Sequence, residues 1–404
     1  MTQDAPARVR IYDPFTFSFY LDNSAESLSH HRWGIAFVQK TASPALPLPP
    51  ASPPQDARAL LAHVETEVRH RIQAFDIAVP VALTEKTIRS MLADIEIKAH
   101  GDGATLDTTA CRLDGIEVAT AYSFERKLGG IGAGIHDGIV VLSPHWERHL
   151  TPWLCHRLQD LTGFELATFR IPGVKMPEAA PDQFTIRNRS MTAIMKGDRV
   201  QEVMPLGSSF QRLLDQTGRG TQRSMKRCVE YAGETGIQFS LIPQAPSLAN
   251  LSLRKLAAKH LPGAKSLHEM AAAVSFIAAQ AQPFHATLTH TDGHPMSMAA
   301  GFIEGDLALV AFQLNHRADR DVWPSLMLRA FLIQQLIDQG VRYLGFIGNG
   351  AGLLLHSCEQ VPAAELLMIR NTRSARFKFW ACRLLQPRSR VALIGDRPPE
   401  AAAA

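Results

Sequence analysis

Basic side chains recur at helical spacing within residues 208–231. Arg219, Arg223, Lys226 and Arg227 fall on one face of the helix that this stretch predicts, because residues three and four apart are neighbours on a helix surface. Guanidinium groups placed together in this way can bind the phosphates of a ligand. A plainly solvated helix face has the same pattern, so both interpretations stay open.

Two other stretches have the residue types of a site but not the required context. The glycines of residues 129–134 lack the strand-to-helix setting and the Lys-Ser/Thr ending of a nucleotide loop, so they predict a hairpin loop. His145 and His149 have the spacing of two zinc ligands on a helix, but not the HExxH order, and Pro144 and Pro152 bracket them. We therefore expect no metal site.

Polar side chains also follow a long apolar strand. Residues 307–315 are apolar almost throughout, which predicts a strand covered on both faces. Gln313 and Asn315 share one face of it, where they can hold a substrate or satisfy buried backbone groups. His316 and Asp319 come directly after the strand and can accept a proton. A solvated loop histidine is the alternative for His316.

The elements around these residues have a clear order. Asp292-Gly293 predicts a hairpin turn, while Pro324 and Ser325 begin a helix that ends at Gly340. Four strands are predicted, at residues 285–290, 296–303, 307–315 and 341–347. The order is three strands, a helix and a strand, so the helix joins two strands that lie side by side.

This order resembles the C-terminal core of the GNAT acyltransferase fold. It is more similar to the FemAB-like, two-domain branch, which includes acyltransferase domains encoded near polysaccharide and cellulose synthesis genes. The matching residues are Asp292-Gly293-x-Pro295, the strand ending at Asn315, Trp323-Pro324-Ser325-Leu326-x-Leu328, and Gly340-Val-Arg-Tyr-Leu-Gly345. The Tyr-Lys pair that the family pattern places after Ile347 is absent from this chain.

The first half of the chain repeats the same order. It has an Asp-Gly hairpin at 114–115, an apolar strand, a helix led by Pro152 and a strand preceded by Gly163. We interpret this as a degenerate internal duplication with copies of about 100 residues. The resemblance implies an α/β (α+β, mixed-sheet) fold of tandem GNAT-like lobes, each a twisted mixed sheet flanked by helices.

The pattern predicts five segments along the chain. They are an N-terminal extension (1–41), a proline-rich linker (42–56), a first GNAT-like lobe (57–183), a second, acyltransferase lobe (184–369) and a basic C-terminal helix and tail (370–404).

Composition limits the class of protein. The chain has 46% hydrophobic and 20% charged residues, and its net charge of +4 is too small to imply nucleic acid binding. It contains no apolar run long enough for a transmembrane helix and no apolar signal-peptide core, so we expect a cytoplasmic protein. Its 5 cysteines are scattered, which indicates reduced thiols.

The resemblance also implies where a cofactor binds. In GNAT folds the fourth and fifth strands separate around the pantetheine arm of acyl-CoA, and the pyrophosphate lies at the N-terminus of the helix between them. By resemblance, residues 307–315 are the separating strand. The implied cofactor-binding residues are Leu314, Asn315, Pro324, Ser325, Leu326 and Met327. No glycine-rich turn precedes this helix, so an inert core helix is the alternative.

Acyl transfer to an amine requires no nucleophile from the protein. The protein must orient the amine, accept its proton and stabilise the carbonyl oxygen. Gln313, His316 and Tyr343 are the candidate catalytic residues, with Tyr343 either protonating the leaving thiolate or packing in the core. Arg219, Arg223 and Arg227 are the candidate substrate-binding residues.

The implied function is acyl-CoA-dependent N-acyl transfer. The acceptor is an amine on a sugar, nucleotide-sugar or similar small molecule in envelope or exopolysaccharide biosynthesis. One alternative keeps the fold but uses aminoacyl-tRNA as donor, against which the small net charge argues. The other is a non-catalytic binding partner of a polysaccharide synthase, which the missing Tyr-Lys pair and glycine turn favour.

Residues 370–390 carry basic side chains and no acidic ones, and Phe377, Trp380 and Leu384 are interleaved among them. A basic amphipathic helix of this kind can lie on an anionic membrane. We therefore expect this segment to contact the inner membrane face or a synthase. A docking helix with a solvated edge is the alternative.

Overall fold

The computed structural model describes residues 79–80, 83–113, 116–128, 133–142, 165–175, 183–187, 191–201, 203–247, 256, 264–316, 323–347, 354, 358 and 360–385. The predicted extension and linker lie outside these residues, as does the predicted helix led by Pro152. So do the hairpin turn at 114–115, the loop at 129–132, both histidines of the 145–149 motif, and Asp319.

The described residues form fifteen strands and six helices. The strands are β1 (Val79–Pro80), β2 (Asp107–Leu113), β3 (Ile116–Leu128), β4 (Ala133–Leu142), β5 (Leu166–Pro172), β6 (Val174–Lys175), β7 (Gln183–Arg187), β8 (Met191–Gln201), β9 (Met204–Pro205), β10 (Gln238–Ile242), β11 (Pro283–Thr289), β12 (Pro295–Glu304), β13 (Leu307–Asn315), β14 (Tyr343–Phe346) and β15 (Gln360–Arg370). The helices are α1 (Glu85–Gly101), α2 (Phe210–Gln216), α3 (Arg219–Thr235), α4 (Ala264–Ala278), α5 (Pro324–Asp338) and α6 (Arg373–Leu385).

The second sheet confirms the predicted order of elements. Its strands lie in the order β10-β11-β12-β13-β14-β9, antiparallel from β10 to β13, and β14 joins β13 in parallel after the α5 crossover. One face packs on α3 and α5, where Met225 and Leu332 are buried. The other face packs on α1 and α4, where Ala93 and Ile277 are buried. Coverage on both faces explains the apolar run in β13.

The first sheet repeats this arrangement, which confirms the mixed α/β fold of two related units. Its order is β2-β3-β4-β5-β15-β8-β7, with β2 to β4 antiparallel and β5 parallel to β4. In both sheets the strand beyond the parallel pair is antiparallel to its neighbour.

The limits of the sheets do not follow the predicted domain limit near residue 183. β7, β8 and β15 fall within the predicted second lobe, yet all three are strands of the first sheet. β15 is inserted between β5 and β8 and pairs with β8 along its whole length, from Gln360 to Arg370. Strand periodicity shows that a strand exists, but it does not specify which sheet the strand joins.

Helix α1 packs between the two sheets. Its N-cap is Thr84, and the Thr84 hydroxyl accepts a hydrogen bond from the Thr87 backbone N–H at 3.2 Å. Leu92 packs against Tyr122 of the first sheet, while the adjacent Ala93 lies in the core of the second. No helix in the described part of the chain is long and apolar enough to cross a membrane.

The helix predicted over residues 208–231 is two helices. α2 ends at Thr217, whose hydroxyl donates to the Leu214 carbonyl at 2.8 Å, and Gly218 then adopts an extended conformation before α3. The first helix ends here because the Thr217 hydroxyl bonds back to the preceding turn and a glycine follows. The helical spacing of apolar residues nevertheless continues into α3.

The insertion of β15 leads to a prediction about truncation. A chain that ends at residue 359 leaves β5 and β8 without the strand that lies between them, so we expect the first sheet not to fold cooperatively. Hydrogen exchange should show β5 and β8 amides that exchange at the rate of unfolded chain. A chain that ends at residue 385 keeps β15 and is the control. Native-like protection of β5 in the shorter chain would contradict the prediction.

Candidate functional site

In the described part of the chain, β13 is longer than its pairing with β14, which covers four residue pairs. β13 pairs with β14 only from Leu307↔Tyr343 to Val310↔Phe346, whereas β13 itself continues to Asn315. From Phe312 to Asn315, β13 remains paired with β12 on the other side. Within the described residues, the edge of β13 that faces β14 is therefore released from strand pairing along its last five residues.

A β-bulge lies at the point of separation. The register between β12 and β13 shifts from Ala300↔Phe312 to Gly301↔Val310, which leaves Ala311 as the extra residue. A bulge bends its strand and increases the local twist, so β13 is bent next to its last pair with β14. Gly301 is required at this position, because a methyl group there would overlap the backbone carbonyl of Leu309 and lie 3.0 Å from Phe284.

Polar side chains line β13 beyond the bulge. Gln313 Nε2 donates to Asn315 Oδ1 at 3.0 Å and to the Ser325 carbonyl of α5 at 3.1 Å. Ser297 Oγ, from β12, donates to Asn315 Oδ1 at 2.7 Å. These bonds confirm that Gln313 and Asn315 share one face. They also tie the released part of β13 to the first turn of α5.

Arg329 of α5 spans the gap between the two strands. Its Nε donates to Gln313 Oε1 at 2.7 Å, and its guanidinium lies 4.8 Å from the ring centroid of Phe346. Burial lowers the pKa of Arg329 to about 10. The guanidinium thus contacts one residue from each strand, just past the last strand pair. Sequence reasoning missed it, although a single charge within the apolar run Leu326–Ile333 was a usable signal.

His316 is buried at the end of β13, so the alternative of a solvated loop histidine is wrong. Its backbone N–H donates to the Met296 carbonyl at 2.7 Å, and only 4% of the residue is exposed. Its ring lies edge-on to that of His294, with centroids 4.2 Å apart. The hairpin turn at 292–293 returns the chain so that His294 reaches His316. The sequence spacing alone does not show this pairing.

The N-terminus of α5 lies after the separated end of β13. Trp323 precedes it in a left-handed conformation, with φ of 48°, and the residue is 47% exposed. A bulky residue rarely adopts this conformation. The carbonyl of Trp323 accepts from the N–H groups of Leu326 and Met327, and Pro324 has no N–H. Ser325, the second residue of α5, has its N–H at the helix start, where no preceding turn offers an acceptor.

The structure does not bring the other predicted residues together. Tyr343 lies at the closed end of the strand pair, about 10 Å from Phe346, and its ring faces the Lys86 ammonium at 4.1 Å. That position does not suit protonation of a thiolate in the gap. The side chain of Leu314 is buried in the core on the face that packs against α1 and α4.

The three candidate substrate-binding arginines lie on the exposed face of α3. Arg219, Arg223 and Arg227 are each exposed, while Met225 and Cys228 on the opposite side are buried in the core that α3 shares with α5. The described residues give none of the three an acidic partner. They form a solvated basic stripe on a helix adjacent to α5.

Several solved structures are similar to this chain at low identity. FemX is 8% identical with a TM-score of 0.39, and the match covers 66% of this chain and 90% of FemX. L-PGS from Bacillus licheniformis is 12% identical with a TM-score of 0.37, over 77% of this chain and 99% of that one. A tandem GNAT protein from the clavulanic acid biosynthesis pathway is 13% identical with a TM-score of 0.41, over 79% and 97%.

No protein-family model matches the chain, and no curated protein matches it in sequence. The strand topology of the described residues is that of two mixed sheets, each flanked by helices.

The bulge leads to a prediction about Gly301. Gly301→Ala should destabilise the protein by about 1–3 kcal/mol, because the new methyl group meets main-chain atoms that cannot move aside. Chemical denaturation measures the loss. Gly233→Ala is the matched control, since nothing lies within 4 Å of that position in α3, and there alanine should stabilise by up to roughly 1 kcal/mol. Equal stability of the two variants would show that Gly301 is not needed for the bulge.

Proposed function

We propose that the protein is an acyl-CoA-dependent N-acyltransferase. The observation that carries the proposal is the short pairing of β13 with β14, which ends after four residue pairs while β13 continues to the N-terminus of α5. A gap between two parallel strands offers main-chain N–H and C=O groups to the amide-rich pantetheine arm. The adjacent helix N-terminus favours the anionic end of the same ligand.

The chemistry requires few side chains. The acceptor amine attacks the thioester carbonyl, a C–N bond forms, and the oxygen becomes an oxyanion that main-chain N–H groups on the released edge of β13 can stabilise. The C–S bond then breaks, the amine loses one proton, and the coenzyme A thiolate gains one. We assign His316, supported by the His294 ring, as the acceptor of the amine proton.

Gln313 has a positioning role in this proposal. It is hydrogen-bonded to Asn315, Ser325 and Arg329, so its side chain is fixed between β13 and α5. A network with this many partners holds the end of β13 at a constant distance from α5.

The acceptor we propose is an amine on a sugar, nucleotide-sugar or similar small molecule in envelope or exopolysaccharide biosynthesis. The solvated stripe of Arg219, Arg223 and Arg227, on the helix beside α5, supports an acceptor that carries phosphate. The same stripe is the feature that favours an aminoacyl-tRNA donor as a second candidate.

The test is an assay of the full-length protein with acetyl-CoA and longer acyl-CoAs. We expect coenzyme A to raise the unfolding temperature and amino sugars to promote release of free thiol. A stabilising effect of tRNA that is lost steeply with salt, with none from coenzyme A, would favour the second candidate instead. No response to either ligand class would leave a non-catalytic binding partner and would overturn the proposal.

Trp323 provides a sharper prediction. Trp323→Gly should leave stability unchanged or raise it by up to roughly 1–2 kcal/mol, because glycine adopts a positive φ without strain. Affinity for coenzyme A should fall, because the exposed ring at the helix start is lost. Denaturation and calorimetric titration measure the two effects. A variant that is less stable and binds coenzyme A normally would show that Trp323 is structural.

The assignment of His316 is tested by His316→Asn. The variant should lower kcat by about 10²-fold or more and bind acyl-CoA normally, because asparagine cannot accept the proton. His290→Asn is the control, since His290 lies in the same hairpin with 42% of its side chain exposed. Steady-state kinetics of both variants measure kcat. An unchanged kcat in His316→Asn would show that His316 does not accept the proton.

A further inference from the structure

Helix α6 exposes large apolar side chains on one face. Among the described residues, five large hydrophobic side chains are exposed, and Phe377, Trp380 and Leu384 of α6 are three of them, at 56%, 58% and 59%. Their spacing of three and four residues places them in one stripe along the helix. The rings of Phe377 and Trp380 lie together, with centroids 6.2 Å apart. We call these three residues the α6 stripe.

The α6 stripe is not the face by which the helix packs. Ala375 and Cys382 lie on the opposite side and are buried with Leu166 and Leu367 of the first sheet. Burial of that side already accounts for the apolar residues that dock α6 on the protein. The helix therefore has a second apolar face, which the fold of the described residues does not use.

The orientation of α6 is fixed by a charged contact. Glu165 Oε2 accepts from Lys378 Nζ at 2.7 Å and from Ser374 Oγ at 3.0 Å. The hydrogen bond from Lys378 lowers the pKa of Glu165, so the contact is present at neutral pH. The helix cannot roll to bury the α6 stripe without breaking these bonds.

The charges near the α6 stripe are positive. Arg373 precedes Phe377 by four residues on the same line of the helix, and Arg376 flanks it. Residues 370–390 contain no acidic side chain. An exposed Trp and Phe beside arginines is the arrangement of a helix that lies at a membrane interface, with its rings at the headgroup level.

We propose that the α6 stripe docks this protein on an anionic lipid surface. Charge favours this partner, because arginines beside an apolar stripe attract anionic headgroups. Area argues against a second copy of the chain: three side chains at this exposure offer roughly 300–400 Å², against about 800 Å² per partner in a stable interface. This inference concerns the first sheet and does not depend on the proposed acyl transfer.

The test uses the full-length protein and vesicles of phosphatidylcholine, alone or mixed with phosphatidylglycerol. We expect sedimentation with the mixed vesicles, weaker binding as salt rises, and a blue shift of tryptophan fluorescence. The combined variant Phe377→Gln, Trp380→Gln, Leu384→Gln should bind at least about tenfold more weakly. Arg373→Gln with Arg376→Gln should lower the affinity by about fivefold for each charge removed.

Tyr231→Gln is the matched control, because Tyr231 is an exposed aromatic residue on α3, away from α6. It should bind the mixed vesicles like the unmodified protein. Thermal unfolding of all variants checks that the fold is kept. Equal binding to both kinds of vesicle, or no binding to mixed vesicles at low salt, would overturn the proposal. So would a dimer in solution that the combined variant converts to a monomer, because the stripe would then belong to a second copy.

Discussion

The site depends on the point at which β13 stops pairing with β14. Parallel strands that remain hydrogen-bonded along their length leave no space between them. Here the extra residue Ala311 bends β13 just after the last pair, and Gly301 on the neighbouring strand allows the main chains to approach closely enough for the bulge. The position of α5, the buried polar network and the exposed Trp323 all follow from that separation.

A gap between strands must be held open by something other than strand hydrogen bonds. Here the hydrogen bond between Gln313 of β13 and Arg329 of α5 fixes the end of β13. Ser297 and Asn315 complete this network. Burying a guanidinium is unfavourable unless its donors are satisfied, so the site is stable only while the network is intact. Loss of one member therefore affects both walls of the gap. The polar residues keep the gap in shape, while the apolar residues of α3, α4 and α5 bury the sheet.

The sequence predicted the second sheet well because its signals are local. Asp292-Gly293, Pro324 and Gly340 mark turns and helix ends. Between them, the spacing of apolar residues identifies each segment as a strand or a helix. It did not predict the burial of His316, the position of Tyr343 at the closed end, or Arg329. Each of these depends on which strands become neighbours and how far they stay paired. Strand register is a non-local property, and period-two patterns identify a face but not a partner.

The position of β15 has a consequence for how the protein is made. The middle of the first sheet consists of a strand that the ribosome makes after every described strand of the second sheet. Until β15 is synthesised, β5 and β8 expose unpaired main-chain N–H and C=O groups along the edges that it later joins. Pairing of strands this far apart in sequence is slow, so the nascent chain needs protection from aggregation during that interval.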